Sequence, residues 1–302
     1  MTWLRTAVAL ACAAPQSLAA QVIVDEVPEA PDAPPSPRVD PSTLDEKGLR
    51  AFISRRGHAL AESEAAIGEL RRRFGKSDAA EAFAQNAEAT MALDRSDGPA
   101  ALRGFKKVVA SYSRSADPAV TAEVVRAMQG QAEAYDLIEA GDLLGPSEPV
   151  TADTIRLDVP SHRLRRDLVN RYGLRSEPEI RRVVARERAN IALAEAIASR
   201  RTADPSAFVA IVRDYGSSAD PDVQCVVADV LAYLARFEPD RRRQIGWHGE
   251  IIRRFSASRD FILRSKVGDA FSNKAYLQKE LGEHEAARRT DAEFDQWSRS
   301  GL

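Results

Sequence analysis

Four aromatic residues set a register that few folds other than stacked helices satisfy. Tyr112, Tyr172, Tyr215 and Phe255 follow one another at spacings of 60, 43 and 40 residues. Four positions before each stand Val108, Leu168, Ile211 and Ile251; three before stand Val109, Val169, Val212 and Ile252. Eight positions after come Val120, Ile180, Val223 and Leu263, and twelve after come Val124, Val184, Val227 and Val267. Twenty after, every copy has alanine: Ala132, Ala192, Ala235 and Ala275. Columns that agree this way in every copy mark an internal repeat. Positions −4, −3 and 0 share one face of a helix that ends at the aromatic residue. Positions +8, +12 and +20 differ by multiples of four and draw a slowly drifting stripe along a second helix. The alanine column suits two helices that cross closely, where a larger side chain would push the backbones apart.

The turns fit the same scheme. Asp117-Pro118, Glu177-Pro178 and Asp220-Pro221 stand before the alanine-bearing helix. An acid suits the N-cap, and proline suits the first helical position, where its missing amide hydrogen costs nothing. Asp204-Pro205, Glu238-Pro239 and Gly98-Pro99 are expected to do the same for the aromatic-ended helix. Upstream, Ile67, Leu70 and Phe74 match positions −7, −4 and 0, 81–93 reads as a degenerate helix, and 49–60 reads as an end cap. Terminal repeats are atypical because each repeat buries its apolar face only on a neighbour. Between Tyr112 and Tyr172 the spacing is about 20 residues too long, and the excess at 141–160 holds Pro146, Pro149 and Pro160, which predicts a loop. The expectation is an all-α domain over 43–302 with about ten helices and no sheet.

On these residues the chain resembles the tetratricopeptide repeat family, in a variant of about 40 residues per unit. The last copy carries the likeness best, in Ala270-Phe271-Ser272-Asn273-Lys274-Ala275 followed by Leu281-Gly282-Glu283-His284-Glu285-Ala286. The family's large residue is matched by Met128, Leu231 and Phe271, whereas the second copy has Arg188. The resemblance covers roughly residues 79–300. It implies a right-handed α-solenoid of antiparallel helix pairs whose alanine-bearing helices line a concave face. It also implies a protein-binding scaffold or adaptor whose partner is a protein or peptide. Six residues before each alanine lie Arg126, Arg186, Asp229 and Asp269; Gln129 and Glu133 in the first copy, and Ser272 and Tyr276 in the last, share that face. These eight are the expected partner-binding residues, basic toward the N-terminal copies and acidic toward the C-terminal ones.

The start of the chain reads as an export signal. Residues 1–19 hold Arg5, a short apolar run, Pro15 and the small-x-small triplet Ser17-Leu18-Ala19, which predicts cleavage after Ala19 or one residue later. The expected location is periplasmic or secreted; Ala9-Leu10-Ala11-Cys12 offers the alternative of a lipoprotein anchored at Cys12. Residues 20–42 are proline-rich and read as an extended, disordered tether. No stretch is apolar for long enough to span a bilayer. A net charge of −2 argues against a nucleic-acid partner. Beyond the signal only Cys225 remains, in a helical run beside Val226 and Val227, where a plain half-buried thiol is expected. His58, His162, His248 and His284 stand in no ligand spacing, and no nucleophile elbow or phosphate loop occurs. No enzyme activity, cofactor or metal is expected. Arg71-Arg72-Arg73 and Arg241-Arg242-Arg243 are read as balanced helix-surface charge, and Trp247 and Trp297 as packing residues. A self-assembling envelope component, or an accessory subunit of an envelope enzyme, is the alternative function.

Overall fold

The computed structural model describes residues 39–54, 60–143, 157–199 and 205–300, and among these every regular element is helical. After a 3-10 turn at Pro41–Thr43 come α1 (Glu46–Ser54), α2 (Leu60–Phe74), α3 (Asp78–Asp94), α4 (Gly98–Tyr112) and α5 (Pro118–Leu143). Then follow α6 (Pro160–Tyr172), α7 (Pro178–Ala198), α8 (Ser206–Tyr215), α9 (Pro221–Phe237), α10 (Arg241–Phe255), α11 (Phe261–Glu280) and α12 (His284–Arg299). The export signal, nearly all of the tether, His58 and Asp204 lie outside the described residues.

Among the described residues twelve helices stand where about ten were expected. Each of five aromatic residues, Phe74, Tyr112, Tyr172, Tyr215 and Phe255, is the last residue of one helix and is followed by another, which accounts for ten. The remaining two are the terminal helices, α1 and α12. The expected 49–60 end cap packs on the helices that follow through Leu49 and Phe52, but its helix α1 stops at Ser54 and Leu60 opens α2. The expected 141–160 loop is shorter at its start, because α5 continues through Leu143; Pro160 is already the first residue of α6.

The five aromatic-ended turns share one geometry. The carbonyls of Phe74, Tyr112, Tyr172, Tyr215 and Phe255 each accept from the amide three residues on, at 2.9–3.0 Å. In three copies the capping acid follows the same plan: the amides of Asp117, Asp220 and Asp260 donate to the hydroxyls of Ser115, Ser218 and Ser258. Their carboxylates in turn accept from Ala119, Asp222 and Leu263, which satisfies helix-end amides that have no partner inside the helix. Glu177 departs from this: it makes no cap bond and is held by Arg175 at 3.0 Å. The longer side chain, next to an arginine where the other copies have serine, finds an ion pair before it finds an amide. The caps of the aromatic-ended helices also differ from expectation. Asp97 caps α4 one residue before Gly98, and Asp240 caps α10, while Glu238 ends α9. Pro205 is itself the N-cap of α8.

The described residues divide into two compact units, one of those up to 130 together with 134–143, the other of 131–133 together with those from 157 on. In the first, α1, α2 and α3 enclose Leu49, Phe52, Ile67, Leu70 and Phe83, and α3, α4 and α5 enclose Ala89, Phe105 and Val108. Gly130 of α5 lies under the Phe105 ring so closely that an added Cβ would stand 2.4 Å from it. In the second unit one continuous core runs from Ala185 through Phe208, Val227 and Leu231 to Phe271. Each helix there packs on the next, and the alanine-bearing helices also meet each other, α7 with α9 and α9 with α11. The columns explain this. Ile180, Val223 and Leu263 at +8, and Val184, Val227 and Val267 at +12, are all 2 % exposed or less. Each such side chain contributes about 1.5–3 kcal/mol by leaving water.

Candidate functional site

The residues singled out for partner binding do not behave as one set. Arg126 and Gln129 belong to the first unit; Arg186, Asp229, Asp269, Ser272 and Tyr276 belong to the second, and Glu133 falls in the short segment grouped with it. In the second unit α7, α9 and α11 lie side by side, so Arg186, Asp229 and Asp269 occupy equivalent positions on three adjoining helices. Arg186 and Asp229 are half-buried, and Asp269 is exposed. Asp229 is paired with Lys266 of α11. Ser272 and Tyr276 are exposed on the same helix as Asp269, at +3 and +7 from it, which places all three on one face. The Tyr276 hydroxyl donates to Glu280 at 2.7 Å, and that bond raises its pKa.

Arg126 has a role its sequence position does not reveal. It donates to the carboxylate of Glu123, which is 2 % exposed. The same carboxylate accepts from Asn86 of α3 at 2.9 Å and lies 3.8 Å from Arg50 of α1. A buried carboxylate is tolerated only when charge and hydrogen bonds compensate its lost hydration, so Arg126 is part of the packing of α5. A second buried acid, Glu187 of α7, is fully enclosed and accepts from Arg165 of α6 at 2.9 Å. Neither acid was singled out in the sequence. The available signal was weak: each sits one position beside a column of buried residues.

Arg188, the residue that breaks the column of large side chains, is accommodated by stacking. Its guanidinium lies 5.5 Å from the centre of the Tyr215 ring, with Arg181 at 5.6 Å, and it pairs with Asp214 at 2.9 Å. The arginine triplets are engaged in the same manner. Arg71 bridges Glu81 and Glu88, Arg72 meets Glu69 at 2.6 Å, and Arg73 donates to the backbone carbonyl of Ser42 at 3.2 Å. Arg241 and Arg242 reach Glu280 and Glu283 at 3.5 and 3.4 Å. Trp297 is half-buried, with its Nε1 donating to the Ser256 carbonyl at 2.8 Å.

Burial shapes two of the titratable groups. Burial, followed by the nearby Asp260 charge, pushes the Cys225 thiol up to about 11, the wrong direction for a nucleophile. Burial lowers the pKa of His248. Among the described residues no cluster of three His, Cys, Asp or Glu side chains could hold a metal ion. A cavity of about 370 Å³ between α6, α7 and α8 is lined by Val169, Ile191 and Ile211 and by Arg166 and Arg188, which are paired with Glu195 and Asp214. No helix among the described residues is long and apolar enough to cross a membrane. Comparison of the chain with family models, with curated proteins and with solved structures gave no match.

Proposed function

We propose that this chain is an exported protein-binding scaffold, with its helix pairs forming a right-handed α-solenoid of the tetratricopeptide kind. The observation that carries the reading is the rank α7, α9 and α11. The middle helix packs against both of its equivalents, and the three carry Arg186, Asp229 and Asp269 at equivalent positions. Stacked helix pairs of this kind offer an extended surface for a peptide or a partner helix. Charge that changes sign along the surface favours one orientation of a partner and accelerates encounter more than it raises affinity. Export rests on residues 1–19, and release after Ala19 makes the mature protein periplasmic or secreted.

Affinity capture of the full chain from its native envelope tests the reading. One recurring foreign protein is expected, with binding weakened by Arg186→Glu and less so at high salt. Arg126→Glu is avoided, because it would set a like charge against buried Glu123 and disturb the fold; Arg186→Glu is read only in a chain whose melting is unchanged. Recovery of copies of this chain alone would favour self-assembly instead. The charged outer face of α12, with Arg288, Asp291, Asp295 and Arg299 exposed, argues against end-to-end stacking. Intact mass spectrometry tests export: a chain starting at Met1, or at an acylated Cys12, would overturn the proposed processing.

A further inference from the structure

The fourth copy departs from the other three where its alanine-bearing helix begins. At the two positions after the capping acid the others have Pro118-Ala119, Pro178-Glu179 and Pro221-Asp222; the fourth has Phe261-Ile262. Proline at that point pre-sets the first helical turn. Phe261 gives up that advantage and gains no burial, since it is 84 % exposed and Ile262 is 55 % exposed. Neither the helix start nor the core explains the pair.

Its surroundings supply charge. One turn on, the guanidinium of Arg264 lies 4.6 Å from the centre of the Trp297 ring, which is itself fixed by the bond to Ser256. Nη1 of Arg264 is buried and meets no acceptor among the described residues. Gly268, at +7 from Phe261, faces Phe294 of α12 at 3.7 Å, so Phe261, Arg264 and Gly268 share the α12 side of α11. Arg259 is exposed just before the helix. Asp260 is turned inward: it accepts from the Leu263 amide at 3.0 Å and lies 4.0 Å from the Cys225 sulfur. The apolar pair is thus flanked by two arginines whose nearest acid in sequence is committed elsewhere.

We propose that Phe261, Ile262, Arg259 and Arg264, at the edge where α11 meets α12, form a docking site for an acidic segment of another protein. A carboxylate of that segment pairs with the arginines, and an adjacent apolar side chain covers Phe261 and Ile262. The inference rests on the protein-binding reading above and adds a second surface and the chemistry of its partner. Charge-assisted bonds from exposed Arg259 and half-buried Arg264 to a carboxylate are stronger than bonds between neutral groups. Stacking on Trp297 holds Arg264 in place beforehand, which lowers the entropy lost on binding. Arginine and tryptophan beside exposed apolar side chains is also the composition of interface hot spots.

The test is photocrosslinking in intact cells with p-benzoylphenylalanine in place of Phe261, and separately in place of Arg186. The expected product at 261 is an adduct to a segment of another protein with an acidic residue close to the crosslinked apolar one. Arg264→Glu, in a chain whose melting and crosslinking at 186 are unchanged, should reduce that adduct at least about tenfold. Replacing the partner's acid with arginine should restore it. An adduct to a second copy, to lipid or to nothing, or one indifferent to Arg264→Glu, overturns the inference. A foreign adduct at 186 with none at 261 leaves the scaffold reading standing. Failure at both positions sinks both.

Discussion

Ala235 and Gly130 show how little space the helix crossings leave. Ala235 of α9 is 2 % exposed, and its column has no larger residue in any copy. Ala235→Phe is expected to destabilise by about 1–3 kcal/mol through overpacking, read as a lower denaturation midpoint with unchanged slope. A variant that melts like the wild type would show that the crossing relaxes freely. Gly246 and Gly249 make the opposite case. Both lie inside α10, and a Cβ at either would meet nothing within 4 Å. Glycine inside a helix costs conformational entropy without compensation here, so Gly246→Ala and Gly249→Ala should each stabilise by about 0.5–1 kcal/mol. Loss of stability in both would mean that something packs on that face of α10.

Between elements, the turns are tied by arginine. Arg254 of α10 donates to the Gly216 carbonyl at the end of α8 at 3.4 Å, and Glu250 holds Arg254 and Arg253 together. The bond from Arg253 first, and that from Arg254, hold the Glu250 carboxyl down to about 2, against the opposing effect of its partial burial. Its pKa is lower in the folded chain than the ordinary 4.5, so its contribution is complete above pH 4.5 and lost as pH falls toward 2. The stability gap between wild type and Glu250→Gln, measured by urea titration, should therefore be constant from pH 7 to 5 and narrow below 4.5. A gap that stays constant down to pH 3 would refute the assignment. Mutual contacts of Glu250 with both arginines, together with Arg254 at Gly216, make this an inter-helix tie; the isolated surface pair Arg171–Asp167 has no such reach.

At the scale of the whole molecule, contacts run mainly between helices that are one or two apart in sequence. Such an array loses structure locally, because each element's stability depends on its neighbours. Hydrogen exchange on Ala235→Phe should accelerate first in α8, α9, α10 and α11 and leave α2, α3 and α4 at wild-type rates. Uniform acceleration across all of them would mean that the chain unfolds as one cooperative body. Far-UV circular dichroism should show helix without appreciable strand, in line with the described residues.

The register of aromatic, aliphatic and alanine columns was legible in the chain because a period of about 40 residues and a stripe of period four leave few other solutions. Every aromatic anchor ends its helix, and every −4, +8, +12 and +20 position is buried, since burial at those offsets is a consequence of local helical geometry. What the chain alone did not disclose is where side chains cross from one helix to another. Arg126, expected on the partner-binding face, is also bound to Glu123; Glu177 looked like a cap and is an ion pair; Glu238 gave way to Asp240. The exposure of Phe261, the unmatched Nη1 of Arg264 and the enclosure of Glu187 are likewise properties of neighbouring helices. Periodicity acts along one helix and is written in the sequence, whereas pairing, burial of charge and leftover valence depend on distances between segments far apart in the chain, and only tertiary packing sets those distances.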